Sequence, residues 1–389
     1  MRRCNPFIPI AGAAASLAVI LPAWADVDPL SGIDFVRITH PGNAPWMGTP
    51  PVQFPPIQNQ ALGRGSVGYE YSIGRFEVTT SQWVQFFNAA YDRPAGEPGL
   101  PWLIPPTFWG AQGTTPINNS NPNARRWQVP AGNEMRPVGN ISWRMAAMYC
   151  NFLHNGGAGA AGPGGVVPRD NFLNGAYDVS TFGNNGTGGF SDQATRSPDA
   201  RYFIPSWDEW LKAAHYDPHK NGPDQGGWWA YPNSTDSRLI SGPPGVLVST
   251  NEIGPPVPDP SGVLGQSNNG WEAQHFPGLS PFTTLLGAYT DVQSPWGLFD
   301  VSGATTEWTE EIRFVAGGGM GRAYDGSYWN NLGSGVGDPV WLRVGETEPW
   351  ISDYSHGLRI ASIVPGPSPL LVMVLSSGCV LVLTKRRRG

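Results

Sequence analysis

The sequence predicts one globular domain, rich in loops and tryptophan, with a targeting segment at each end. Three observations predict it. Glycine (51 residues) and proline (40 residues) are abundant, which favours turns over long regular elements. Seventeen tryptophans in 389 residues need an interior to hold them, which excludes a disordered chain. Charged residues are 14% of the chain, against roughly 25% in ordinary globular proteins. The net charge of -6, with no cluster of Lys and Arg outside the termini, excludes nucleic acid as a partner.

The termini read as export signals. Residues 1–25 have a basic start (Arg2, Arg3), an apolar run from Phe7 to Leu21, and a small-x-small site at Ala23-Trp24-Ala25, the pattern of a secretory signal peptide. Residues 364–389 open with Val364-Pro-Gly-Pro-Ser-Pro369. An apolar run from Leu370 to Leu383 and a basic cluster at Lys385–Arg388 follow. The run is short for a membrane span of about 20 residues, but the terminal arginines suit a cytoplasmic stop. Of the three cysteines, Cys4 and Cys379 fall in these end segments. The exported domain therefore holds only Cys150, which predicts a small buried core residue and no internal disulfide.

Between the ends the elements follow in order. Residues 26–68 form a Pro- and Gly-rich extension with a strand at Ile33–Thr39, and the main domain spans 69–363. Tyr69–Val78 alternates as a strand. Thr79 or Thr80 then caps a helix to about Tyr91, with Trp83, Phe86, Phe87 and Ala90 on one face. Residues 92–128 read as a loop-like insertion. Ser142 caps a second helix that stops at Asn155-Gly156, with Met145, Met148, Cys150, Phe152 and Leu153 apolar. A Gly- and Asn-rich excursion covers 156–198. Ser206 and Glu209 form a capping-box pattern for a third helix that must end before Pro218. Turns dominate 221–281, and Gly317–Gly321 reads as a turn rather than a phosphate loop, because no Lys-Ser/Thr follows it.

Three blocks in fixed order carry a resemblance: Phe203-Ile-Pro-Ser-Trp-Asp-Glu-Trp-Leu-Lys-Ala-Ala214, Gly297-Leu-Phe-Asp-Val-Ser-Gly-Ala-Thr-Thr-Glu-Trp308, and Asp325-Gly-Ser-Tyr-Trp329 with a later Gly357-Leu-Arg359. Together they resemble the formylglycine-generating enzyme, or sulfatase-modifying factor, family over roughly residues 69–362. The resemblance implies a loop-rich α+β fold related in topology to C-type lectins. It also implies a substrate groove lined by Trp296, Asp325, Ser327, Tyr328, Trp329, Trp341 and Arg359, with Trp329 and Trp341 the better surface candidates and Trp210 and Trp308 core residues. The 364–389 tail resembles a PEP-CTERM sorting signal, although Gly366 stands where glutamate is usual. That resemblance implies a Gram-negative bacterial surface protein processed by an exosortase-type membrane enzyme; the alternative is an anchor that is never cut.

The chemistry of the family's oxidases depends on a pair of thiolates that bind copper and activate dioxygen, and soft thiolates select Cu(I). The segment after Ser327 has no cysteine, and Cys150 has no second thiol to join it. No copper and no formylglycine-generating activity are therefore expected. A second branch of the family holds iron through three histidines of an extra helical domain that this chain lacks. Of the six histidines, His215 and His219 are four apart, but Pro218 separates them and a solvated turn is the simpler expectation. His275 and His356 with Asp325 or Asp353 would be needed for a His/carboxylate site, and their spacing does not favour one.

Calcium stays open. Family members often hold Ca²⁺ at the Gly-Asn-x-x-Glu stretch, where Asp300, the Gly303 carbonyl and Glu307 are retained and Ala304 replaces the asparagine. Alternatively Glu307 pairs with Arg313 or Arg359. For Arg359 a partly buried site, bonded to carbonyls or Glu307, is expected. The sequence thus predicts an exported, surface-sorted domain of this type that has lost its thiol centre and binds peptide or glycan. A metal-dependent oxidoreductase with a His/carboxylate site, and a surface matrix component without a discrete ligand, are the alternatives.

Overall fold

The computed structural model describes residues 26–363, apart from 51–58, 92, 95, 114–125, 163, 187, 250–256, 269–275, 277–279, 281, 315–318, 327–337, 343–344 and 354. Ser327, Tyr328, Trp329, His275 and both end segments lie outside the described residues. Among the described residues no helix is long and apolar enough to cross a membrane.

The chain runs β1 (Asp26–Val27), β2 (Asp34–Ile38), β3 (Tyr71–Gly74), α1 (Thr80–Tyr91), β4 (Gln112–Gly113), β5 (Trp127–Gln128), α2 (Trp143–His154), α3 (Asp170–Leu173), β6 (Tyr202–Phe203), α4 (Trp207–His215) and β7 (Tyr216–Asp217). It continues through β8 (Gly227–Trp228), β9 (Leu247–Val248), β10 (Val263–Leu264), β11 (Thr306–Phe314), β12 (Met320–Asp325), β13 (Gly345–Thr347), β14 (His356–Gly357) and β15 (Ala361–Ile363). The fold is mixed α+β and loop-rich.

Two sheets organise it. The first has the order β1-β2-β3-β15-β6, so the strand that ends the described chain sits between β3 and β6. The 26–68 segment is part of this sheet, because β2 pairs with β3 from Phe35↔Gly74 to Ile38↔Tyr71. The second sheet has the order β13-β12-β11-β14, with β11 and β12 antiparallel and a register shift between Trp308 and Ile312. Met320 and Gly321, read from sequence as the end of a turn, open β12.

The three longer helices form where local rules place them. On α1, Trp83, Phe86, Phe87 and Ala90 are all buried, one stripe at helical spacing. Ser142 caps α2 by accepting from the Met145 amide, and Asn155 closes it. Ser206 and Glu209 make the reciprocal capping box of α4, which ends at His215. The described parts of the stretch read as an insertion pack on α1: Trp109 and Trp127 meet Phe87 edge-on or tilted at 5.7 and 6.0 Å, and the Trp127 amide donates to the Asn88 side chain at 2.9 Å. Cys150 is fully buried in the same core, as its sequence context predicts, and burial pushes its thiol well up.

Candidate functional site

The Gly303-Ala-Thr-Thr-Glu307 and Gly357-Leu-Arg359 blocks meet in the centre of the molecule. Glu307 on β11 and Arg359 just before β15 are both 0% exposed. Arg359 donates from Nη2 and Nε to Glu307 Oε1 at 2.7 and 2.9 Å, from Nη1 to the carbonyls of Gly74 and Arg75, and from Nη2 to that of Phe299, each at 2.9 Å. Trp210 Nε1 donates to Glu307 Oε2 at 2.5 Å. Of the two partners offered by the sequence, Arg359 is therefore the one that Glu307 pairs with, and Arg359 is fully rather than partly buried. Beside them, Glu77 takes the Thr305 amide at 3.1 Å and the Thr305 hydroxyl. Burial, then the neighbouring Glu307 charge, pushes the Glu77 carboxyl well up.

This geometry bears on calcium. Calcium needs several hard oxygens free of a competing cation. Both Glu307 oxygens accept from Arg359, and one also accepts from Trp210. Asp300 Oδ2 accepts from the Gly287 amide at 2.6 Å, and burial pushes this carboxyl up to about 6. Asp300 borders a cavity of about 10 Å³ with Asn233, Gln266 and Ser302, and neither Gly303 nor Glu307 lines it. Among the described residues no three His, Cys, Asp or Glu side chains gather as a metal site.

Several predicted groove residues prove to be interior. Asp325 is 1% exposed and takes the Trp207 indole N–H at 2.7 Å. Trp341, expected at the surface, is 3% exposed and packs edge-on against Tyr231 at 6.0 Å. Arg359 is the buried half of the ion pair. Trp296 is half-buried, and its N–H donates to the Lys212 carbonyl at 3.1 Å. These four do not line an open groove together. On β11 alternate side chains turn to opposite faces: Glu307, opposite Asp325, meets α4, whereas Trp308, opposite Tyr324, meets the entry to α2. Trp210 and Trp308 are core residues, as predicted.

The histidines also separate. His215 is 1% exposed rather than solvated, and burial pushes its imidazole down to about 3. His219 meets His40 edge-on at 5.7 Å instead. His356 lies 4.5 Å from the Trp308 ring and 4.4 Å from the Tyr324 ring, and its Nδ1 has no hydrogen-bond partner among the described residues. Burial pushes it down to about 4, so it is neutral at pH 7.

Sequence reasoning missed an aromatic cluster at the start of α2. The Arg144 guanidinium is paired with Asp192 at 2.6 and 2.8 Å, and it donates to the Gly183 carbonyl at 2.9 Å. Its carbon lies 4.1 Å from the Trp102 ring, 5.2 Å from Trp350 and 5.6 Å from Phe182. The Arg144 amide donates to the Pro349 carbonyl at 3.1 Å. Three loops thus converge on one buried side chain, yet Trp102 remains 40% exposed. No periodicity marks residues 101–105; the signal available was an exposed-type loop that spends a tryptophan. A separate cleft of about 510 Å³ is lined by Val263, Leu264, Ala288, Tyr289 and Val292 and by none of the predicted site residues.

The chain is similar to solved structures of CarF (18% identity, TM-score 0.45, 86% of this chain and 99% of that one), of Treponema denticola variable protein 1 (15%, 0.43, 85% and 95%), and of PvdO from Pseudomonas aeruginosa (14%, 0.42, 85% and 94%). No curated protein sequence matches it. Residues 62–339 match the sulfatase-modifying factor enzyme 1-like domain, which is well over half of the chain, and the protein belongs to that family.

Proposed function

We propose that this chain is an exported, non-oxidising member of the family that binds a peptide or glycan. The observation that carries the reading is the state of its thiols. A copper-thiolate centre needs two deprotonated sulfurs at one accessible place. The whole sequence has three cysteines; Cys150 is fully buried on α2 with its thiol pushed well up by burial, and the other two stand at positions 4 and 379. Export rests on the 1–25 pattern, and surface sorting by an exosortase-type enzyme on the 364–389 pattern. At the position where family members often hold calcium, the cation is taken to be the Arg359 guanidinium.

The test supplies the full chain with Cu(I), dioxygen and a cysteine-containing peptide, and follows aldehyde formation by mass spectrometry. No conversion is expected, together with saturable binding to at least one member of a panel of peptides and oligosaccharides. Conversion of the cysteine would overturn the non-oxidising reading, and the absence of all binding would overturn the binding module.

A further inference from the structure

We propose that the Trp102–Arg144–Trp350 surface is a platform for an uncharged sugar chain, an inference that rests on reading the protein as a ligand-binding module. The other residues at this place explain why Arg144 is buried and paired, but they do not explain an exposed indole. Trp83, Trp143, Trp207 and Trp308 are all 0% exposed, whereas Trp102 is 40% exposed with one ring face against the guanidinium.

The backbone makes the same point. Trp102 has φ 65, a left-handed conformation that is an outlier for a bulky side chain and free for glycine. If the turn alone mattered, glycine would make it without strain. The position therefore holds the indole against a local preference, which is where function is commonly found.

The chemistry of the surface selects the ligand class. Indole faces accept the C–H faces of sugar rings and are rigid, so little freedom is lost on contact. Ile351, next to Trp350, and Ile104, two residues after Trp102, are 40% and 43% exposed, so apolar surface lies close to both indoles along the chain. Asn184 is exposed and follows the Gly183 that receives Arg144, and carboxamides pair with hydroxyls as both donor and acceptor. The Asp192 carboxylate cancels the Arg144 charge through two hydrogen bonds. The Arg144 charge is thus met by Asp192 and leaves no free cation for a ligand, which disfavours uronic acid polymers and acidic peptides.

The experiment titrates the full chain with neutral gluco-, galacto- and manno-oligosaccharides, with uronic acid oligosaccharides, and with a peptide panel. A neutral oligosaccharide is expected to bind best. Trp102→Ala should weaken it at least tenfold and Trp102→Phe less than threefold, with circular dichroism unchanged. Ile351→Asp, next to Trp350, should weaken it several-fold and serves if Trp102→Ala does not fold. Undiminished sugar binding by the folded variants would overturn the platform and leave the binding module standing. Binding of peptides alone, or of uronic acids in preference, would do the same. Binding of nothing would overturn both.

Discussion

Glu307 and Arg359 each sit in a place that tolerates only their partner. Removing one charge of a buried pair leaves the other uncompensated, which costs about 3–5 kcal/mol. Glu307→Gln should therefore lower stability by about that amount in denaturant titration, because Arg359 keeps three carbonyl partners but loses its counter-ion. Arg359→Lys should also be strongly destabilising, since an ammonium cannot span Glu307 and the carbonyls of Gly74, Arg75 and Phe299 at once. The same geometry sets an expectation for metal. If the guanidinium is the cation at this position, exhaustive chelation should leave the melting temperature within about 1 °C. Millimolar calcium should not raise it, whereas a site filled well above its Kd would contribute several kcal/mol by mass action.

At the scale of elements, α4 shows how much of the fold is local. Its capping box satisfies two amides with two side chains three positions apart, a pattern legible in the four residues Ser206-Trp-Asp-Glu209 alone. Ser206→Ala should cost about 1 kcal/mol in thermal or chemical unfolding. Glu209→Ala should cost more, because the same carboxylate also holds Arg196 at 2.8 Å and the Tyr69 hydroxyl at 2.8 Å. The three longer helices were legible because caps and a 3.6-residue stripe are written within a dozen residues, whereas the one-turn α3 lies in the 156–198 stretch that reads as an excursion. Many of the strands were not: among the described residues most have two or three residues, too short for alternation to register. The candidate site was less legible still. Arg144 is assembled from Trp102, Gly183, Asp192 and Pro349, and nothing local in any of those segments names the others. Trp341 misled because a tryptophan near a family motif carries no mark of which way it faces. The burial of Trp341 depends on Tyr231, more than a hundred residues earlier.

The whole molecule is held by buried ionisable groups of opposite tendency, and its response to pH follows from them. Burial pushes Glu310 up to about 7, against the pull of Arg196. Such a carboxyl is protonated in the fold at pH values where the unfolded chain has lost its proton, near 4.5. The fold then binds more protons than the unfolded chain, so this contribution is full below pH 4.5 and is lost as pH rises through 7. Asp300, up to about 6 by burial, has the same sign in a lower window. His215 and His356, pushed by burial down to about 3 and about 4, have the opposite sign: their contribution is full above pH 6.5 and is lost as pH falls. Between pH 4.5 and 6 the two sets oppose each other, with Glu77, also pushed well up by burial, on the side of the carboxyls, so the melting temperature should fall only gently as pH rises. From pH 6.5 to 7.5 the unfolded histidines give up their remaining protons, so their opposition fades, and the raised carboxyls, Glu310 among them, make stability fall above about pH 7. Glu310→Gln isolates this contribution. Relative to the unmodified chain, the variant should gain stability steadily from pH 4.5 to 7.5, by on the order of 3 kcal/mol in total. A difference between the two proteins that stays constant across that range would show that Glu310 is ionised in the fold throughout, held by Arg196 at 3.0 Å and by the Tyr177 hydroxyl at 2.7 Å.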